Sequence, residues 1–280
     1  MSLETALSRA ADVAEMPAPP SAIEVEHLDA HYGPRQILFD VDLTIRQGEI
    51  MVIMGGSGSG KSTLLRHLIG LERPSAGTIR LLGHDIGRLG GTAMLNLRRK
   101  IGVAFQGGAM FSSMTVAENI KLPLRELATL NEKTMDIMAR LKLEVVNLAG
   151  FGHLMPSELS GGMLKRAAVA RAIVMDPKLL FFDEPSAGLD PVVSSALDDL
   201  ILRLREAMDM TIVVVTHEVE SALKIADRIT ILDKGRILTV DTVEGVRHSP
   251  DEHIQNLLNR RSEEQEMDAA AYLRRLSGEA

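Results

Sequence analysis

Nine consecutive residues carry the strongest chemical signal in the chain. Gly55, Gly56, Ser57, Gly58, Ser59, Gly60, Lys61, Ser62 and Thr63 follow the pattern G-x-x-x-x-G-K-[ST], after the apolar run 50–54 and before leucines 64, 65 and 68 at helical spacing. Glycines at these positions let backbone N–H groups close around phosphate oxygens, and the N-terminus of the following helix adds a positive dipole end. Lys61 then reaches the β/γ-phosphates and the Ser62 hydroxyl ligates Mg²⁺. Such a loop needs a second metal anchor on a neighbouring buried strand. Four apolar residues, 179–182, lead into Asp183 and Glu184. Asp183 is placed to hold the metal's water shell, and Glu184 to polarise an attacking water. His217 follows another apolar run, 211–215, from where it could reach the γ-phosphate; taken alone, such a residue is more often a structural histidine.

A second glycine-flanked helix start lies at Ser160, Gly161 and Gly162. By itself it reads as an N-cap. Beside the first loop it becomes a second phosphate cradle that has no lysine and no Asp-Glu pair of its own. The economical solution is a head-to-tail dimer, each nucleotide lying between one chain's residues 55–63 and the other chain's 160–162.

The elements that must position these groups follow from the hydrophobic pattern. Alternation from 23 to 53 predicts short antiparallel strands leading into a buried strand at 50–54. Strands are also predicted at 78–82, 101–105, 179–182, 211–215 and 229–232, and helices at 191–208 and 218–226. Short, nearly continuous apolar strands alternating with helices predict an α/β fold with a mostly parallel core sheet. The segment 115–175 reads as a helical insert. Residues 1–22, ending in a Pro/Ala-rich stretch, read as a disordered leader, and 249–280 as an acidic helix-forming tail, with an amphipathic segment at 269–276 expected to pack across the dimer or onto a small regulatory subunit.

Composition narrows the function classes. The chain has 280 residues, no cysteine and a net charge of −7. Thiolate catalysis, disulfide scaffolds and Cys-ligated metals are therefore excluded. The acidic balance argues against a sequence-independent nucleic-acid binder. Arg98-Arg99-Lys100 and Lys165-Arg166 read as solvated helix faces. No apolar run is long enough to span a membrane.

Together these motifs resemble the ATP-binding cassette (ABC) family over residues 23–248. The resemblance implies a P-loop ATPase of ABC type, with an antiparallel β subdomain, a helical subdomain at about 107–175, and ATP and Mg²⁺ as ligands. It assigns Tyr32 as the adenine-stacking aromatic, Gln106 as the loop glutamine that senses Mg²⁺ and the partner permease, and Leu159–Met163 as the signature. Ser186–Asp190 becomes the dimer-interface loop and His217 the switch histidine. Met163 stands where the commonest signature has Gln.

Residues 105–116 and 159–168 resemble more narrowly the ATPase of the Mla-type phospholipid transporters, and Ser112-Ser113 replaces the Pro-His pair usual in amino-acid importers. This implies a motor for phospholipid transport between the inner and outer membranes of a Gram-negative envelope, bound at the cytoplasmic face through a permease. An MCE lipid-binding protein and a small STAS-domain subunit are its implied partners. Ala109, Met110, Phe111 and Met114 form the surface expected to dock a permease helix. An importer ATPase for another substrate is the alternative, followed by a soluble ABC ATPase acting on nucleic acid or ribosomes. The short separation of Gln106 from Ser160 and the single cassette argue against the last.

Overall fold

The computed structural model describes residues 20–259. Two long strands, β1 (Ser21–Tyr32) and β2 (Arg35–Arg46), form a hairpin around Gly33, whose φ of +58° suits glycine. With β4 (Ala76–Leu81) and β5 (His84–Asp85) they make a four-stranded antiparallel sheet in the order β2-β1-β4-β5. The hairpin strands run 12 residues each rather than being short. β1 also begins at Ser21, two residues inside the expected leader; residues 1–19 lie outside the described part.

The second sheet has six strands, β10 (Arg236–Thr242), β9 (Arg228–Asp233), β3 (Ile50–Met54), β8 (Thr211–Val215), β7 (Leu179–Asp183) and β6 (Ile101–Ala104), in that order. All its pairings are parallel except β10 with β9. β3 lies inside it and is buried at every residue. Successive side chains of a strand point to opposite faces. Ile50, Val52 and Met54 accordingly enter a core with the helical segments, and Met51 and Ile53 enter a second core under the antiparallel sheet. That two-sided burial is why this strand reads as a continuous apolar run.

The helices are α1 (Lys61–Leu68), α2 (Gly91–Arg98), α3 (Val116–Leu127), α4 (Glu132–Val145), α5 (Gly161–Ala172), α6 (Pro191–Met208), α7 (Val219–Ile225), α8 (Val243–Arg247) and α9 (Glu252–Leu258). Their starts are written locally. Thr115 and Glu118 form a reciprocal capping box at α3, Asn131 caps α4, and Asp190 accepts from the N–H groups of Val192 and Val193 at α6, with Pro191 as its first residue. Such caps are worth about 1 kcal/mol each. The expected tail is described only as far as α9 and Asn259, so the segment 269–276 lies outside the described residues. No helix among the described residues is long and apolar enough to cross a membrane.

Candidate nucleotide site

The parallel register decides where the site lies. Ile53 and Asp183 both pair with Val215, and Ala104 pairs with Phe182, so four strand ends reach one edge of the sheet together. From β3 issues the glycine loop, from β8 His217, from β7 the Asp183-Glu184 pair, and from β6 Gln106. With strands spaced about 4.8 Å apart, Asp183 stands roughly 10 Å across the edge from the loop, one strand intervening.

The loop is sterically closed. Gly55 has φ +157° and Gly60 φ +106°; a Cβ at Gly55 would lie 2.1 Å from the carbonyl oxygen of Leu232, and one at Gly60 would lie 2.8 Å from Leu38 Cδ2. Gly235 N–H donates to Ser59 O at 2.9 Å, tying the loop to the β9–β10 turn. Lys61 Nζ donates to the carbonyls of Gly55 and Gly56 at 2.9 Å each, so the ammonium is folded over the loop. Burial lowers its pKa, and the carboxylates of Glu184 and Asp183 work against that shift. Asp183 is pushed up by burial and by Glu184, with Arg66, Lys165 and Lys61 opposing. Two cations and two carboxylates thus share one partly desolvated space.

Glu184 is held hard. Its backbone is left-handed at φ +47°, which costs on the order of 1–3 kcal/mol in a non-glycine residue. Its N–H donates to Val215 O at 2.8 Å. His217 Nδ1 lies 2.9 Å from the Glu184 carboxylate, Thr216 Oγ1 donates to it at 3.3 Å, and that carboxylate is only 14% exposed. His217 therefore meets the adjacent acid directly. Gln106 is exposed on the edge strand's loop. Tyr32 is 76% exposed at the end of β1, on the antiparallel sheet rather than on the strand edge that gathers the other groups.

Ser160 caps α5, its Oγ accepting from Met163 N–H at 3.3 Å, and Ser160 and Gly161 are exposed. Gly162 lies close under α6: a Cβ there would come within 2.5 Å of Val193 Cγ1, so that side chain would have to shift. Phe111, expected at a partner surface, is 52% exposed, with its N–H held at 2.8 Å by buried Asn119.

Two residues of α5 were not identified as site residues in the sequence. Lys165 is half-buried and donates to the backbone oxygens of Gln106 and Glu184, the latter at 3.1 Å, which corrects its reading as a solvated helix face. Arg171 donates to Gly108 O and Ala109 O at 2.7 Å each. The signal was present in the alanines: Ala167, Ala168 and Ala170 are buried. A helix so enclosed obliges its cations to find partners inside the protein.

The residues suit a nucleoside triphosphate and a hard divalent cation. Among the described residues the buried Ser59 hydroxyl has no hydrogen-bond partner, an orphan polar atom inside a loop of closely packed glycines. Ser62 and Asp183 offer the oxygen donors that Mg²⁺ takes.

The ABC transporter family model matches residues 38–187. The chain is 41% identical over 241 residues to the intermembrane phospholipid transport system ATP-binding protein MlaF of Haemophilus influenzae, covering 86% of this chain and 91% of that one. It is 39% identical over 240 residues to the probable ribonucleotide transport ATP-binding protein mkl of Mycobacterium leprae, covering 86% and 69%. Among solved structures it resembles a dimeric ATP-binding cassette in a post-hydrolysis state bound to ADP and Pi, at 30% identity and TM-score 0.72, covering 79% and 98%.

Proposed function

The chain belongs to the ABC transporter ATPase family, and from that premise we propose that it is the motor of a transporter moving phospholipid between the two membranes of a Gram-negative envelope. Hydrolysis is supported by one observation above the others: the glycine loop, Asp183, Glu184 and His217 emerge from parallel strand ends on one edge of the sheet. The cargo is supported by the relative whose name specifies intermembrane phospholipid transport, matched over nine-tenths of its length.

In this reading the backbone of Gly55–Ser59, Lys61 and Thr63 hold the phosphates, and Tyr32 stacks on the adenine. Ser62 and Asp183 hold Mg²⁺, with Gln106 contributing from the edge strand. The cation supplies neutralisation of phosphate charge. Glu184, gripped by Thr216 and His217, takes the proton of the attacking water, and its fixed orientation removes the entropy of finding that geometry. Two chains pair head to tail, so that Ser160, Gly161 and Gly162 of one complete the nucleotide site of the other. Residues 23–248 form the cassette, with 107–175 as its helical subdomain and 249–280 as its tail. A permease engages exposed Phe111 and holds the chain at the cytoplasmic face of the inner membrane, with an MCE lipid carrier and a small STAS-domain subunit completing the assembly.

The test is purification of the complex from detergent-solubilised membranes, with mass spectrometry of bound proteins and lipid. A permease with bound phospholipid is the expected result, and Phe111→Asp should reduce recovery of the permease. The ribonucleotide-transport relative favours a second reading with another cargo. Bound ribonucleotide other than ATP and ADP, without lipid, would select it.

A further inference from the structure

Lys165 stands five residues after Ser160, a turn and a half into α5. Lysine's ammonium is compact and strongly hydrated, and it leaves water only where acceptors replace it. Here the acceptors are two main-chain oxygens far apart in sequence, those of Gln106 and Glu184. Burial lowers the pKa of this lysine while Asp183 and Glu184 raise it, so the cation also lies within their field. Further along the same helix Arg171 holds Gly108 O and Ala109 O. The helix therefore grips the loop 106–109 at both ends, and through Lys165 it also grips the Glu184 turn.

These contacts join groups with different allegiances. In the head-to-tail reading, on which this inference rests, Ser160 acts on the partner's nucleotide and Glu184 on the chain's own. We infer that Lys165 is a positioning residue that couples the two nucleotide sites of the dimer through a single chain. A helix transmits displacement as a nearly rigid rod. When α5 moves to meet the partner's nucleotide, Lys165 carries the backbone of Glu184 with it, and the carboxylate in its own site is re-aimed. The same ammonium draws on Gln106, so the loop facing the membrane partner enters the linkage.

The test measures ATP hydrolysis by the full-length chain across ATP concentrations, comparing wild type with Lys165→Met, which keeps an apolar stem of similar length and removes the donors, and with Lys165→Arg, which restores them. The wild type should show a Hill slope above one. In Lys165→Met the slope should fall to one and kcat should drop on the order of tenfold, the cost of losing the charge-assisted hydrogen bond that positions Glu184 in the committed state. Affinity for a fluorescent ATP analogue should change by less than about twofold, because no phosphate contact is lost. Lys165→Arg should recover the slope. A purely structural lysine would lower the melting temperature and leave the slope alone. If Lys165→Met does not fold, Lys165→Leu, which likewise removes every donor, takes its place.

A wild-type slope of one, or an unchanged slope in the Met or Leu variant, overturns the coupling. An engineered cysteine pair, Ser57→Cys and Ser160→Cys in this cysteine-free chain, tells the two failures apart without relying on turnover. An ATP-dependent disulfide between two chains with an unchanged slope in Lys165→Met removes only the coupling, whereas no disulfide between chains removes the head-to-tail reading beneath it.

Discussion

The two glycine-flanked helix starts of this chain, ahead of α1 and ahead of α5, look alike in composition and differ in almost every physical respect. The first is enclosed: Gly55 is boxed by the carbonyl of Leu232, Ser59 is buried, and Lys61 folds back over the loop. Carboxylates on the same strand edge bear on it electrostatically. The second is open, with Ser160 and Gly161 exposed and a Cβ at Gly161 meeting only Leu189 Cδ2, at an ordinary 3.7 Å. A helix N-terminus alone makes a weak anion site. In the proposed reading, what separates a catalytic loop from half of one is the set of charged groups that the topology brings to it.

That contrast can be broken experimentally, beginning with its strongest consequence. If the first loop and its strand-edge partners form the hydrolytic centre, Glu184→Gln should lower kcat by about 10² to 10⁴ while ATP binding persists. Steady-state hydrolysis beside a nucleotide-binding titration decides it, and near wild-type turnover ends the assignment.

If the second loop works only for a neighbour, Lys61→Ala and Ser160→Arg chains should each be inactive alone. Mixed in equal amounts they should recover about a quarter of the wild-type sites, since half of randomly paired dimers then hold one intact site. Retention of a fluorescent ATP analogue against mixing ratio measures this, because the coupling inferred above lowers turnover in a dimer with one intact site. A mixture that retains no more than its components would make the two loops independent.

The steric difference predicts a stability difference. Gly55→Ala places a Cβ against main-chain atoms and should destabilise by about 1–3 kcal/mol, and Ser160→Ala should cost about 1 kcal/mol as a lost N-cap. Gly161→Ala should stay within about 0.5 kcal/mol, as exposed substitutions usually do. Thermal denaturation ranks the three. Ser160→Ala carries extra information: a capping role alone makes activity follow stability, whereas a role at the partner's nucleotide lowers activity further.

Much of this organisation was legible in the sequence where local rules act. The bounds of β3, β8 and α6 coincide with runs readable from hydrophobicity and from the Asp190-Pro191 helix start. Gly55–Thr63 and Asp183-Glu184 stand out because their chemistry needs contiguous residues. The misses have physical reasons. β5 has only two residues, too few for a period, and β10 is an edge strand with a mixed burial pattern. α2 is exposed nearly all round, with Leu97 its single buried residue, so its apolar residues form no buried stripe. The pairing of His217 with Glu184 depends on β7 and β8 being neighbours, which a list of motifs does not contain. Lys165 was hidden most completely, because its acceptors are backbone oxygens 59 and 19 residues away and every residue type carries such an oxygen.

That last feature bears on how such a chain can diverge. Lys165 and Arg171 hold the loop 106–109 by its main-chain oxygens, which remain whatever side chains the loop carries. If the proposed docking surface is right, Phe111 just beyond can therefore be exchanged to suit a different membrane partner without loosening the grip on the path of the chain. On that reading the recognition surface is free to drift while its mounting stays fixed, so one ATPase body could be refitted to new transporters by substitutions in a single short segment.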